Sequence, residues 1–426
     1  MRHNLGPSIS EDLLRNYVAS RQNSRLCQPV YIYDTDVVQQ RVALLKDIFS
    51  PEFGISYAIK SNPNQALLNQ IVGLVDTLDA SSYSEVMRAR ATGIPDCLIS
   101  YSGPGKRFTE LEAFIGNFHE LVVESFEEIA DAATIAATKE KRQAVLIRIN
   151  PDHVPRGFGA SMSGKPSQFG IDEQAAAEAI AQVDAASHLD LHGFHIYTGS
   201  NSLSASTLIE NFENMAQLFL RFSQDGRRPI RKLIFGAGFG LPYHVGQEPL
   251  DLIAVRDGAM RVAAGLRAHP GLASTEFILE LGRWITGPSG ALLTTVLVTK
   301  HSRGQKIAVC DAGFNNHLAA CGLMGSVFRK DWPIKHLTAA VDSVQENIKL
   351  TGPLCTSIDA LAGPLDFPVV QRGDILAVML SGAYGLTASP TRFISHPDPI
   401  EILHKDGQFE DVSESHHNHT LVRAYE

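Results

Sequence analysis

Ile55-Ser56-Tyr57-Ala58-Ile59-Lys60-Ser61-Asn62 is an apolar stretch ending on one lysine, followed at once by small polar residues and Pro63. Alternating and β-branched apolar residues predict a buried strand. Lys60 stands at its mouth. A lysine there is either a solvated strand end or an amine held in a low-polarity site, where it can form a Schiff base. An isolated lysine favours the first reading, so the rest of the chain decides.

Outward from this strand the chain keeps a strand–helix rhythm. Strands are expected at 55–60, 77–80, 98–101, 121–124, 144–150, 189–197, 232–236 and 276–280, with helices at 84–92, 126–138, 173–183, 208–225 and 252–268. Eight strands alternating with helices over about 230 residues give the period of a (β/α)8 TIM-type barrel. The expected strand ends carry Lys60, Asp79, Arg148, His195, Gly236 and Glu280. A barrel places its chemistry at that C-terminal face. Polar loops after strands are ordinary; one lysine, one arginine, one histidine and one glutamate at four strand ends are less so.

After about residue 285 the rhythm changes. Strands at 291–300, 306–310, 347–350, 375–379 and 400–404, separated by Gly-, Pro- and Asp-rich turns, predict a second, mostly β domain. The expected division is a barrel over 36–285 and a β domain over 286–426, joined by residues 1–35, which hold a short helix near 11–21 and a strand at 30–33. The 426 residues suffice for two cores, and a formal charge of −9 argues against nucleic-acid or membrane-surface binding. Five scattered cysteines without CxxC spacing fit a reducing compartment. With no signal-like segment and no membrane-length apolar run, the chain reads as cytoplasmic. His416-His417-Asn418-His419 reads as a solvated loop rather than a metal site, and no metal is expected.

Gly236-Ala237-Gly238-Phe239-Gly240 lacks the spacing of a dinucleotide fingerprint, yet its glycines would let backbone N–H groups approach an anion. Glu280-Leu281-Gly282-Arg283 adds an arginine and another bare amide, and His195 precedes a Thr198-Gly199-Ser200 turn. A flat imidazole beside an anion-type turn suits a planar, phosphorylated cofactor. The structural alternatives are tight turns and a core histidine.

Together these residues resemble the fold-type III decarboxylases that use pyridoxal 5'-phosphate (PLP), the group of diaminopimelate, ornithine and arginine decarboxylases. The resemblance runs in order through Tyr57–Asn62, Asp79-Ala80-Ser81 with Glu85, His195–Ser200, Gly236–Gly240, Glu280–Arg283, Gly352-Pro353-Leu354-Cys355 with Asp359, and Ser381–Gly385. Ser102-Gly103-Pro104-Gly105-Lys106, Ile196–Asn201, Gly352–Thr356 and the stretch from Ser389-Pro390 to Leu403 are similar to the L-glutamyl-[acyl-carrier protein] decarboxylases of butirosin-type antibiotic biosynthesis. The resemblance implies an alanine racemase-like barrel with a C-terminal β domain, and PLP as cofactor. It implies that Lys60 carries PLP, Glu280 keeps the pyridine nitrogen protonated, and His195 stacks on the ring. Ser200, Gly236, Ala237, Gly238, Phe239, Gly282 and Arg283 would hold the phosphate, with Asp79 and Arg148 in support. Cys355 would donate a proton at Cα from the partner subunit of a homodimer, with Tyr384 also reaching across to the phosphate.

The chain departs from the diamine-processing members after the cysteine, where Thr356 stands in place of an acid. A neutral hydroxyl cannot offset the desolvation of a buried ammonium, which argues against lysine, ornithine and diaminopimelate. Gln168-Phe169-Gly170 replaces Lys-Phe-Gly, so the inter-subunit ion pair usually made to Asp359 loses its cation. The substrate's far end is then expected to be neutral, anionic or tethered, with Thr356, Asp359, His317 and Arg392 as candidate contacts. For His317 and Arg392 a solvated surface role weighs equally. The leading expectation is an aminoacyl group, glutamyl by resemblance, on an acyl-carrier protein. Alternatives are a free amino acid, a siderophore-type carboxylate conjugate, an amino-acid racemase, or a non-catalytic PLP-binding protein. The Cys355 signature speaks against the racemase, and the β domain against the last.

Overall fold

The computed structural model describes residues 6–21, 26–223, 229–244, 246–322, 331–340 and 342–414; the histidine cluster at 416–419 lies outside them. The chain divides into two compact units, one formed by Val42–Gly240 and Leu250–Gly282, the other by Leu241–Pro249 and Arg283–Asn418 with Met1–Arg41, so far as these are described.

The first unit is built on eight parallel strands, β1 (Gly54–Ala58), β2 (Thr77–Ala80), β3 (Ile99–Tyr101), β4 (Glu120–Val123), β5 (Gln143–Asn150), β6 (Leu189–Ile196), β7 (Lys232–Gly236) and β8 (Glu276–Leu281). Each pairs with its neighbour in sequence, and β8 closes onto β1 through Ile278↔Gly54 to Leu281↔Tyr57. This is the (β/α)8 barrel. Strands covered on both faces need to be apolar throughout, and β4 and β5 are buried along their whole length. Val122, Leu146, Ile234 and Ile278 fill the interior.

Local chemistry sets the helix starts. Ser82 accepts from the Glu85 N–H, Ser125 from the Glu128 N–H, and Asp251 from the Ile253 and Ala254 N–H groups. Each satisfies donors that an open helix end leaves bare. Helix Ala205–Ser223 buries Leu208, Phe212, Met215 and Phe219, a stripe at helical spacing. The strand expected to run to Lys60 stops at Ala58; Ile59–Ser61 forms a 3₁₀ turn, which lifts Lys60 off the sheet.

The second unit is a mostly β sheet domain. Val30–Asp34, buried at every position, pairs antiparallel with Gly290–Leu293 and parallel with Ile400–His404. Gly290–Ser302 continues onto Gln305–Cys310, then Gln345–Thr351 and Ala360–Pro368. One core gathers Leu14, Tyr17, Ile32, Leu293 and Ile402, and another Val296, Ile348, Leu350, Leu361 and Phe367.

Candidate active site

Lys60 Nζ lies 4.0 Å from Asp79 Oδ2 and 4.0 Å from Glu280 Oε1, and 5.6 Å from the Tyr197 ring centre. The lysine side chain is one-third exposed (33%), whereas both carboxylates are buried at 2%. The turn bearing it is tied down by Tyr57, whose hydroxyl donates to Asn62 O (2.9 Å) and accepts from Ser61 Oγ (3.0 Å). Gly282 completes the packing, because a Cβ there would stand 2.6 Å from Ser61 Oγ.

The two carboxylates hold protons differently. Burial opposes the charged form of Glu280, but His195, Lys60 and Arg148 outweigh it and hold its carboxyl down at about 2. Burial, reinforced by the charge on Glu280, pushes Asp79 up to about 8 against the pull of Lys60. His195 Nε2 approaches Glu280 Oε2 at 3.1 Å as an ion pair, and among the described residues neither ring nitrogen makes a well-directed hydrogen bond. Asp79 Oδ2 and Ser81 Oγ are likewise buried without one. Buried polar atoms are rarely left so, at about 1–3 kcal/mol each. Orphaned acceptors and donors around a half-open lysine between two acids fit a polar, ring-bearing group that a lysine can hold covalently. PLP is such a group.

Sequence reasoning missed the frame behind these residues. Arg148 Nη1 donates to both Glu124 oxygens at 3.0 and 3.1 Å, with Phe169 4.9 Å away. Glu124 also accepts from the Gly103 and Gly170 N–H groups. Lys106, 1% exposed, pairs with Glu128 at 2.9 Å and donates to Gly103 O and Val122 O. Glu128 in turn accepts from the Glu124 N–H at 2.7 Å. Two ion pairs thus pin the ends of β3, β4 and β5. The signal was present in Ser102–Lys106 and Glu124, but spacing does not say which charge meets which.

Ser200 lies in a two-residue strand paired with Ala160–Ser161. The glycine loop after β7 runs beside it: the Ser202 N–H donates to Gly238 O (3.0 Å) and the Gly240 N–H to Ser202 O (2.9 Å). Gly238 has φ +64, and a Cβ on Gly240 would stand 2.6 Å from Ser202 O. These glycines let two backbone segments touch. Ala237 and Phe239 are buried, and the Gly236–Gly240 loop is anchored by the Ala237 N–H to Glu280 O at 3.0 Å.

In the second unit Arg283 donates to the Tyr243 hydroxyl at 3.1 Å, and its guanidinium lies 4.5 Å from the Tyr384 ring. The Tyr384 ring thus lies against the guanidinium of Arg283, the residue that follows Gly282. Cys355 is exposed and Thr356 half-buried on the turn after Gly352. Arg392 is exposed. His317 is fully buried, edge-on to Trp332 at 4.6 Å, and burial lowers its pKa to about 3. Its burial corrects the solvated-surface reading. Asp359 is also buried, with both oxygens taken by backbone N–H groups.

Residues 35–287 match the family described as pyridoxal-dependent decarboxylase, pyridoxal binding domain. The chain is 31% identical over 389 residues to the L-glutamyl-[BtrI acyl-carrier protein] decarboxylase of Niallia circulans, covering 90% of each. It is 28% identical over 381 residues to a diaminopimelate decarboxylase of Helicobacter pylori, covering 89% of this chain and 90% of that one. A crystal structure of the Helicobacter pylori enzyme complexed with L-lysine is similar at a TM-score of 0.83 and 27% identity, over 96% of this chain and 99% of that chain. With a barrel closed by eight parallel strands and a lysine set between two buried acids, the chain belongs to the fold-type III decarboxylases, carboxy-lyases that use PLP to act on amino acids.

Proposed function

We propose that the protein is a homodimer that removes the α-carboxylate from an aminoacyl group, glutamyl in type, carried on an acyl-carrier protein. The carrying observation is Thr356. It follows Cys355 directly, where an acid would be needed to pair with a distal ammonium, and an uncompensated ammonium is costly to desolvate. The 31% identity to a glutamyl-carrier decarboxylase supports the same reading.

In this reading residues 36–285 form the PLP-binding barrel, and 286–426 with 1–35 the β domain. Lys60 Nζ, set between Asp79 and Glu280, would hold the cofactor through its aldehyde. PLP, when bound, accepts the electron pair left as CO2 departs. Glu280, held ionised, would keep a cofactor ring nitrogen protonated, and His195 would stack on that ring. Asp79 and Arg148 fix the charge around these two. Ser200, the Gly236–Gly240 loop, Gly282, Arg283 and Tyr384 hold the phosphate. Cys355 of the opposite subunit returns a proton to Cα, while Thr356 and Arg392 face the substrate's far end.

The 28% identity to a diaminopimelate decarboxylase favours a second reading, turnover of a free amino acid. Purified, PLP-loaded protein offered glutamyl-loaded carrier protein, free glutamate, diaminopimelate and lysine separates the two by mass spectrometry. Loss of one CO2 from the carrier-bound substrate alone is expected. Turnover of diaminopimelate or lysine instead would overturn the argument from Thr356.

A further inference from the structure

Asp359 lies four residues after Cys355, and its side chain is enclosed by its own chain. It is 3% exposed. Oδ1 accepts from the Phe314 N–H at 2.8 Å and Oδ2 from the Leu354 N–H at 2.7 Å. Its own carbonyl accepts from the Gly352 N–H at 3.2 Å, and its N–H donates to Thr356 O at 3.3 Å. The sequence makes room for the carboxylate on both sides: a Cβ on Gly352 would stand 2.3 Å from Oδ2, and one on Gly313 2.4 Å from Oδ1. No lysine or arginine pairs with it among the described residues.

We propose that Asp359 is a positioning residue for Cys355, its buried carboxylate clamping the 352–359 turn to the Gly313-Phe314 turn of the same chain. A carboxylate is all acceptor, so one group can fasten two N–H donors on separate segments. The clamp acts within the chain and replaces the inter-subunit ion pair for which Gln168 offers no cation. Cys355, one residue beyond the fastened Leu354 amide, then has a fixed place from which to deliver a proton. The inference rests on the reading of Cys355 as donor, but its test needs no turnover, so the two fail separately.

In Asp359→Asn the amide –NH2 faces one of the two N–H donors, and that bond is lost. The rate of Cys355 alkylation by iodoacetamide, followed by peptide mapping in the PLP-loaded protein, is expected to rise about three- to tenfold, the opening a lost hydrogen bond allows. Cys27 and Cys97, also exposed, serve as internal standards and stay unchanged, and buried Cys310 and Cys321 stay unreactive. An unchanged Cys355, or a rise at all five thiols together, overturns the proposal. The unmutated protein gives a second reading: by hydrogen exchange the Phe314 and Leu354 amides are expected to be far slower than Ser357. Equal rates overturn it, as does an Asp359→Asn protein whose only change is a weaker dimer.

Discussion

Asp79 and Glu280 stand equally far from Lys60, 4.0 Å each, yet hold their protons in opposite ways. Burial first and the charge of Glu280 next push the Asp79 carboxyl up to about 8, with Lys60 and the Ser102 hydroxyl opposing. An unfolded aspartate titrates near about 3.9. Between about pH 4 and about pH 8 the folded chain therefore keeps a proton that the unfolded chain has released, and stability falls as pH rises through that window. Glu280, held at about 2, has the opposite sign, but its contribution is lost only in acid below the usual carboxylate range. Asp79→Asn should flatten the decline in urea midpoint between about pH 5 and about pH 8. An identical pH dependence in both proteins would refute the assignment. Lys60, His195 and Glu280 were legible in the sequence because each is a polar residue ending an apolar run. The Arg148–Glu124 and Lys106–Glu128 pairs were not, since their partners lie 24 and 22 residues apart on separate elements and loops. The engagement of Asp359 by two amides leaves no pattern in residue types at all.

At the scale of elements, the eight barrel strands were readable because burial on both faces demands continuous apolar runs. Helices Gln65–Ile71 and Phe108–Phe114 were overlooked. Seven residues each span under two turns, too few for a helical period to show. Strand Ala360–Pro368 was overlooked because Gly363, Pro364 and Pro368 interrupt it. It sits at the sheet edge, where proline costs no ladder bond. At the opposite ends of the strands from the active site, Lys232 opens β7 and pairs with Glu120, the first residue of β4, at 2.8 Å. Their side chains are 12% and 4% exposed, so the carboxylate depends on its counter-charge. Lys232→Met should lower unfolding stability by about 3 kcal/mol, and adding Glu120→Gln should restore much of it. Denaturant midpoints of the two variants check this, and a neutral single mutant would contradict it.

At the scale of the molecule, the proposed dimer divides its chemistry: Lys60 on one chain, Cys355 arriving from the other. Lys60→Ala and Cys355→Ala proteins should each be inactive, and their mixture, after subunit exchange, should recover about one quarter of native activity. Half of the mixed population is heterodimer, and each heterodimer has one complete site in two. No recovery under conditions of demonstrated exchange would mean that each site is built from a single chain. The turn that carries Cys355 has a further consequence, in evolutionary terms. At position 356 the structural duties fall to the main chain, whose N–H donates to Leu354 O and whose carbonyl accepts from Asp359. The Thr356 side chain is therefore under little obligation to the fold. Lys60, Asp79, Glu280 and the Gly236–Gly240 glycines belong to the other unit. With Thr356 at the substrate's far end, as proposed, a change of substrate needs no change at Lys60, Asp79 or Glu280.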